Sequence, residues 1–301
     1  MVSDRLERDL AIRSGRAALD APGRRAQAVS SHGDARARFA SGPALLSPLY
    51  AFYTWQLRGR VLAHPLPRHV AVILDGNRRW AALAGLREPG AGHRRGADTL
   101  AELIGWCART GIGELTVWAL SIENLSRPAQ ELSALTEILA QELTALSQRA
   151  ARGAPAFRIR VFGRLDSLIP VLADTARRVQ EETAENGGLS LNVALGYSGR
   201  DELVDATRAL IRSLVADGVR PDEMAAHVDA DAIERHLYTA EHSDPDLIIR
   251  TSGEMRLSGF LPWQSSHSEF YFTDVYWPAF RELDFLRAVR SFQQRERRMG
   301  R

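Results

Sequence analysis

From residue 67 onward, short apolar runs alternate with longer stretches of helical period. The runs are HVAVIL (69–74), LTVWAL (115–120), FRIRVF (157–162), LSLNVAL (189–195), DLIIR (246–250) and EFYF (269–272). Between them, the spacing predicts helices near 94–110, 129–149, 171–186, 200–217 and 222–240. In the second of these, Leu132, Leu135, Leu139, Leu143 and Leu146 recur along one helical face. Such alternation predicts an α/β fold: a central, mostly parallel sheet of about six strands with helices on both faces. Ligands of these sheets collect at the carboxyl ends of the strands, so the residues just after each run are the first candidates for chemistry.

The chain ahead of this body reads differently. Residues 1–45 are rich in Arg, Ala, Ser and Gly with few large apolar groups, which predicts a flexible extension. Over 46–66, Leu49, Tyr50, Phe52, Tyr53, Leu57 and Leu62 mingle with Arg58 and Arg60, which predicts an amphipathic helix. That helix either packs on the core or rests on a membrane surface. The start lacks the apolar stretch of a secretion signal, and no run of about 18 apolar residues occurs. The expectation is a cytoplasmic protein, at most peripheral at the inner face of the cell membrane.

Composition narrows this further. With 301 residues, 45% hydrophobic and 25% charged, the chain reads as soluble and globular. All 39 basic residues are arginine, and 37 acidic residues nearly balance them. Codon usage in a GC-rich genome accounts for the bias, yet guanidinium forks also grip phosphate oxygens in a bidentate way that ammonium does not. The arginines are dispersed among acids, so no nucleic-acid partner is expected. Cys107 is the sole cysteine, which rules out an intrachain disulfide and a cysteine zinc site.

The first strand end carries Asp75-Gly76-Asn77-Arg78-Arg79-Trp80. Gly76 permits a sharp turn, and the amides that follow open a helix whose N-terminus carries about half a positive charge. Asp75 beside an anion implies an intervening cation, and Mg²⁺ is the natural partner of phosphate oxygens. Helix capping by Asp75 and Asn77 is the plainer alternative for the turn in isolation.

The segment HVAVILDGNRRWA resembles the opening signature of the cis-prenyltransferases, the undecaprenyl diphosphate synthase group, and the resemblance runs from about Pro67 to Arg301. It implies the fold already expected, a catalytic domain over 67–301, and a homodimer. It also implies that Gly76, Asn77, Arg78, Arg79, Trp80, Arg87 and His93 hold an allylic diphosphate, with Mg²⁺ at Asp75. Ser121-Ile122-Glu123-Asn124-Leu125-Ser126-Arg127-Pro128 resembles the family's S-x-E-N-x-x-R-P block. There Asp75, Ser121 and Asn124 would serve catalysis, and Arg127 would brace a diphosphate. Leu125 stands where tryptophan is common and echoes a short-product subgroup. Arg250, Arg256 and Ser258 match the residues that bind isopentenyl diphosphate. Glu269 matches the carboxylate that supports the metal, and Arg298 with Gly300 matches an R-x-G element that reaches across the dimer.

The implied reaction joins isopentenyl diphosphate to geranyl or farnesyl diphosphate and forms a Z double bond. A short to medium product is expected. The alternatives are branching condensation by a family relative and a non-catalytic scaffold subunit of the same fold. No DDxxD pair is present, which argues against the trans-prenyltransferases.

Overall fold

A computed structural model describes residues 47–88, 90–126, 128–152 and 156–295. Strand β1 (His69–Ile73) is buried at every position, as befits a strand covered on both faces. Its side chains alternate: Val70 and Val72 enter the larger core, Ala71 and Ile73 the smaller one. The other strands are β2 (Glu114–Ser121), β3 (Phe157–Phe162), β4 (Leu189–Tyr197), β5 (Leu247–Arg250) and β6 (Glu269–Phe272). All six lie in one parallel sheet in the order β3-β4-β2-β1-β5-β6. The chain works outward from β1 through β2 to the edge strand β3, steps back to β4 between them, then crosses to β5 and β6 on the other side of β1. The direction of winding therefore reverses between β1 and β5, and a crevice opens at their carboxyl ends.

Helices α1 (Ser47–Leu62), α2 (Asn77–Leu83), α3 (Ala91–Thr110), α4 (Ala129–Arg152), α5 (Pro170–Thr183) and α6 (Gly199–Ala216) follow the predicted pattern closely. Leu103, Ile104, Trp106 and Cys107 of α3 are buried, and burial pushes the Cys107 thiol up, so it stays protonated and inert.

The helix expected over 222–240 is instead broken into a 3₁₀ turn, Met224–His227, and the short α7, Ala230–Glu234. Asp229 is the cause. It is extended, and its side chain accepts a 2.7 Å hydrogen bond from the Ala232 amide, so it starts a new helix and cannot sit inside a longer one.

The pattern reading did not include α8 (Glu282–Gln294), which buries Leu283, Phe285, Leu286 and Val289. Helix α8 covers the inner face of α1. Leu57 and Val61 are buried there, Arg58 pairs with Glu282 at 2.8 Å, and Gln293 donates to the Val61 carbonyl. The outer face of α1 is apolar too, with Leu49, Phe52, Trp55 and Leu62 exposed, so the helix is less amphipathic than its sequence reads. The expected extension over 1–45 lies outside the described residues.

The amino ends of β1, β2 and β4 are tied by a buried polar cluster. His69 is 2% exposed; its ring meets the Ser243 carbonyl and the Thr116 hydroxyl. Glu114 accepts from Asn192 at 2.7 Å and from Ser243 at 2.5 Å, and faces His242 at 3.4 Å. Burial alone would raise the Glu114 carboxyl, but His242, His69, Ser243 and Asn192 bring it down to about 2. Burial holds His69 below its ordinary value despite Glu114 nearby.

The signs agree. The unfolded chain binds a proton at Glu114 below its ordinary 4.5 that the folded chain refuses until about 2. Unfolded His69 likewise binds a proton below 6.5 that the folded ring resists. Stability is therefore full at neutral pH and falls as pH drops through 6.5 and again through 4.5. Melting temperatures measured from pH 7 to pH 4 should decline steadily, and His69→Gln should flatten the upper part of that decline.

Candidate active site

Asp75 lies two residues past the end of β1 and Arg250 ends β5, and the register pairs Ile73 with Arg250. The two side chains meet across the crevice, with Arg250 Nη2 3.1 Å from Asp75 Oδ2. Thr251 locks the Asp75 backbone: its hydroxyl donates to the Asp75 carbonyl at 2.7 Å and accepts from the Asp75 amide at 3.0 Å. The other carboxylate oxygen takes Arg79 Nη2 at 3.2 Å, and that same nitrogen donates to Ser252 Oγ at 2.8 Å. Partial burial pushes the Asp75 carboxyl up, but Arg250, Ser252 and Arg79 outweigh it and hold the group below the ordinary carboxylate range. Asp75 is thus ionised at neutral pH.

Gly76 caps α2 with φ of 104°, a left-handed turn, and a Cβ there would lie 2.6 Å from the Tyr276 ring. Tyr276 also lies beneath the Arg79 guanidinium, 5.5 Å from the ring centre. Asn77 donates to the Leu74 carbonyl at 3.0 Å, which tethers the turn. Arg78 is exposed and pairs with Glu131 at 3.4 Å. Trp80 is half-buried, and Arg87 is exposed in the loop after α2. His93 lies in the first turn of α3, whose Gly92 packs directly on the Asn77 carbonyl. Helix α2 has seven residues, so its dipole is short, and the exposed arginines beside it are the stronger candidates for gripping an anion.

Arg250 is 5% exposed, and its donors are largely committed. Nη1 donates to Ser258 Oγ at 2.8 Å and also to the Arg256 carbonyl, while the buried Nε has no partner among the described residues. The loop carrying Arg256 and Ser258 is shaped by left-handed residues, Ser252 and Ser258 among them. It is pinned to the end of β4, where the Gly199 amide donates to the Gly259 carbonyl at 2.9 Å and a Cβ on Gly199 would strike Pro262 at 2.1 Å. Glu254 lies between Arg79 at 3.5 Å and Arg256 at 2.5 Å.

Ser121 ends β2, the other neighbour of β1, and belongs to the same rim; Asn124 follows in a 3₁₀ turn, Ile122–Ser126. Beneath them Leu120 is buried and Leu125 packs on the core. Between α4 and α5 runs a groove of about 530 Å³, lined by polar side chains such as Ser133, Glu137, Gln141 and Thr144 together with Ala140, Ala145, Ile169 and Val171. Arg127, Arg298 and Gly300 lie outside the described residues.

Glu269 requires a correction as a companion of Asp75. It opens β6, aligned with Leu247 and through it with Val70, at the amino edge of the sheet. Asp75 lies beyond the carboxyl edge, about 16 Å further along the strand direction at 3.3 Å per residue. Glu269 instead pairs with Arg295 at 2.6 Å. Within one chain the two carboxylates do not share a metal.

Among the described residues there is no cluster of three or more His, Cys, Asp or Glu with metal-holding geometry. An ionised carboxylate amid arginine donors still suits Mg²⁺, which takes one or two carboxylates and fills its remaining positions with water and substrate phosphate.

Sequence missed Ser252, Tyr276 and Glu254 as members of this rim. Ser252 and Glu254 fall inside the TSGE segment after β5, a position that could have drawn attention; nothing local marks Tyr276.

An acidic group and several arginines at the switch point of a parallel sheet define an anion-handling α/β enzyme. The model of the family described as "Putative undecaprenyl diphosphate synthase" matches residues 73–300. The chain is 49% identical over 253 residues to a (2Z,6E)-farnesyl diphosphate synthase of Thermobifida fusca, covering 84% of this chain and 97% of that protein. It is 46% identical to a short-chain Z-isoprenyl diphosphate synthase of Mycobacterium bovis, over 86% of this chain and 98% of that one. Among solved structures, lavandulyl diphosphate synthase from Lavandula x intermedia, in complex with dimethylallyl diphosphate, superposes with a TM-score of 0.72 at 34% identity, covering 78% of this chain and 99% of that chain. The chain belongs to the undecaprenyl diphosphate synthase family: it is a cis-prenyltransferase.

Proposed function

We propose that this enzyme condenses isopentenyl diphosphate with geranyl or farnesyl diphosphate, in the presence of Mg²⁺, to give a short to medium Z-prenyl diphosphate. The observation that carries the reading is the contact of Asp75 with Arg250 at 3.1 Å, because it joins two anion grips at one crevice. On one side, the Gly76–Trp80 turn with Arg79 and His93 takes the allylic diphosphate, aided by Arg78 and Arg87. On the other, Arg250, Arg256 and Ser258 take the diphosphate of isopentenyl diphosphate. When bound at Asp75, Mg²⁺ supplies positive charge to phosphate oxygens.

The allylic C–O bond breaks and its electron pair leaves with the diphosphate, where Arg79 and His93 stabilise the growing charge. The alkene electrons of isopentenyl diphosphate form the new C–C bond. A proton then departs next to it, assisted by Ser121 and Asn124 on the neighbouring rim. The names borne by the 49% and 46% identical relatives favour a linear short product over branching. Retention of Asp75 and the arginines disfavours a silent scaffold.

Purified protein given labelled isopentenyl diphosphate with each starter should yield one Z-configured product class. Chelation with EDTA should abolish it, and added Mg²⁺ should restore it. No product with either starter overturns the assignment.

No helix among the described residues is long and apolar enough to cross a membrane. The exposed Leu49, Phe52, Trp55 and Leu62 on α1, with Arg60 at its end and no acidic residue in the helix, support peripheral contact with an anionic lipid surface. Co-sedimentation with phosphatidylglycerol vesicles should fall sharply in Phe52→Ser/Trp55→Ser; equal binding removes the contact. A homodimer is the proposed assembly. It is the arrangement in which Arg298 and Gly300 would act across subunits, and light scattering should return twice the chain mass.

A further inference from the structure

Three guanidinium groups and two carboxylates of the rim are linked in one circuit, and the functional reading employs only one of those carboxylates. Glu254 is the other. One of its oxygens lies 3.5 Å from Arg79 and the second 2.5 Å from Arg256, so a single side chain spans both grips. The circuit closes through Asp75: Arg79 bonds to it, Arg250 bonds to it, and Arg250 also holds the Arg256 carbonyl. Arg79, Arg250 and Arg256 against Asp75 and Glu254 leave a net charge of +1, which becomes +2 when Glu254 withdraws. Glu254 occupies guanidinium donors that a diphosphate needs. Its side chain is 30% exposed and that of Arg256 64%, so these pairs are weak enough to exchange for the stronger bidentate grip of a diphosphate.

We propose that Glu254 is a positioning residue that couples the two diphosphate sites. With both sites empty it holds Arg79 and Arg256. The first diphosphate to arrive takes one arginine, and its negative charge repels Glu254 from the other. The second diphosphate then meets a guanidinium already released, and by linkage the effect is the same whichever ligand comes first. The inference rests on the functional reading above, since it takes Arg79 and Arg256 as members of different substrate sites.

The test uses titration calorimetry of the full chain with Mg²⁺ and isopentenyl diphosphate, with and without saturating geranyl thiolodiphosphate. That allylic analogue binds but does not ionise. In the wild type, the analogue should lower the Kd for isopentenyl diphosphate by about five-fold or more. In Glu254→Gln, the Kd without analogue should already be lower than in the wild type, and the ratio should fall close to one. Glu254→Asp, one methylene too short to reach both arginines, should lose the ratio as well. A ratio that survives in Glu254→Gln overturns the proposal, as does weaker binding in that variant with the ratio intact, the mark of a mere brace. Wild-type protein that binds neither ligand overturns the functional reading, and this inference with it.

Discussion

Asp75→Asn lowers kcat by about 10²–10³-fold or more while the protein stays folded, because the change removes one charge and keeps the side-chain shape. The stability cost should stay under about 2 kcal/mol, since Arg250 retains Ser258 and the Arg256 carbonyl and the asparagine oxygen still accepts a bond. Raising Mg²⁺ should recover little, because the residue that would anchor the ion has lost its charge. Near-normal turnover with an unchanged Mg²⁺ requirement would remove Asp75 from the metal site. Steady-state kinetics beside a thermal melt separates the two effects.

Arg250→Lys comes next in size. An ammonium group is compact and cannot extend one planar fork to Asp75, Ser258 and the Arg256 carbonyl together. The kcat/KM for isopentenyl diphosphate should fall about 10²-fold or more, as expected when a buried, hydrogen-bonded charge pair is disrupted. The KM for the allylic partner should move far less, since Arg79 keeps its own contacts to Asp75 and Ser252. An equal loss for both substrates would mean that Arg250 acts as a general scaffold for the rim and not as one substrate's grip.

Much of this architecture was legible because parallel sheets write themselves as isolated apolar runs. FRIRVF and EFYF coincide with β3 (Phe157–Phe162) and β6 (Glu269–Phe272) to the residue. The DGN turn stood out because it follows such a run at the end where ligands gather, and Arg250 because it closes the DLIIR run. Other features resisted for identifiable reasons. A helical period over 222–240 concealed Asp229, whose side chain satisfies an amide better as a cap than inside a helix. Glu269 was assigned by motif order, which says nothing about which edge of the sheet a residue occupies. Its place at the start of β6 was a usable signal, since the first residue of a parallel strand faces away from the crevice. Tyr276 arrives from a loop about two hundred positions downstream of Gly76, and only the folded chain reveals that its ring forbids a side chain there.

The buried knot around His69 and Glu114 sits at one pole of the strands, and the arginine-rich crevice at the other. Robustness and reactivity are therefore seated apart, with the rigid middle of the sheet as a spacer. Heat tolerance can be adjusted at the foot while turnover is left alone, and substrate preference can drift at the mouth without loosening the scaffold. A lineage built on this plan can vary the lipids it makes without redesigning the body that makes them.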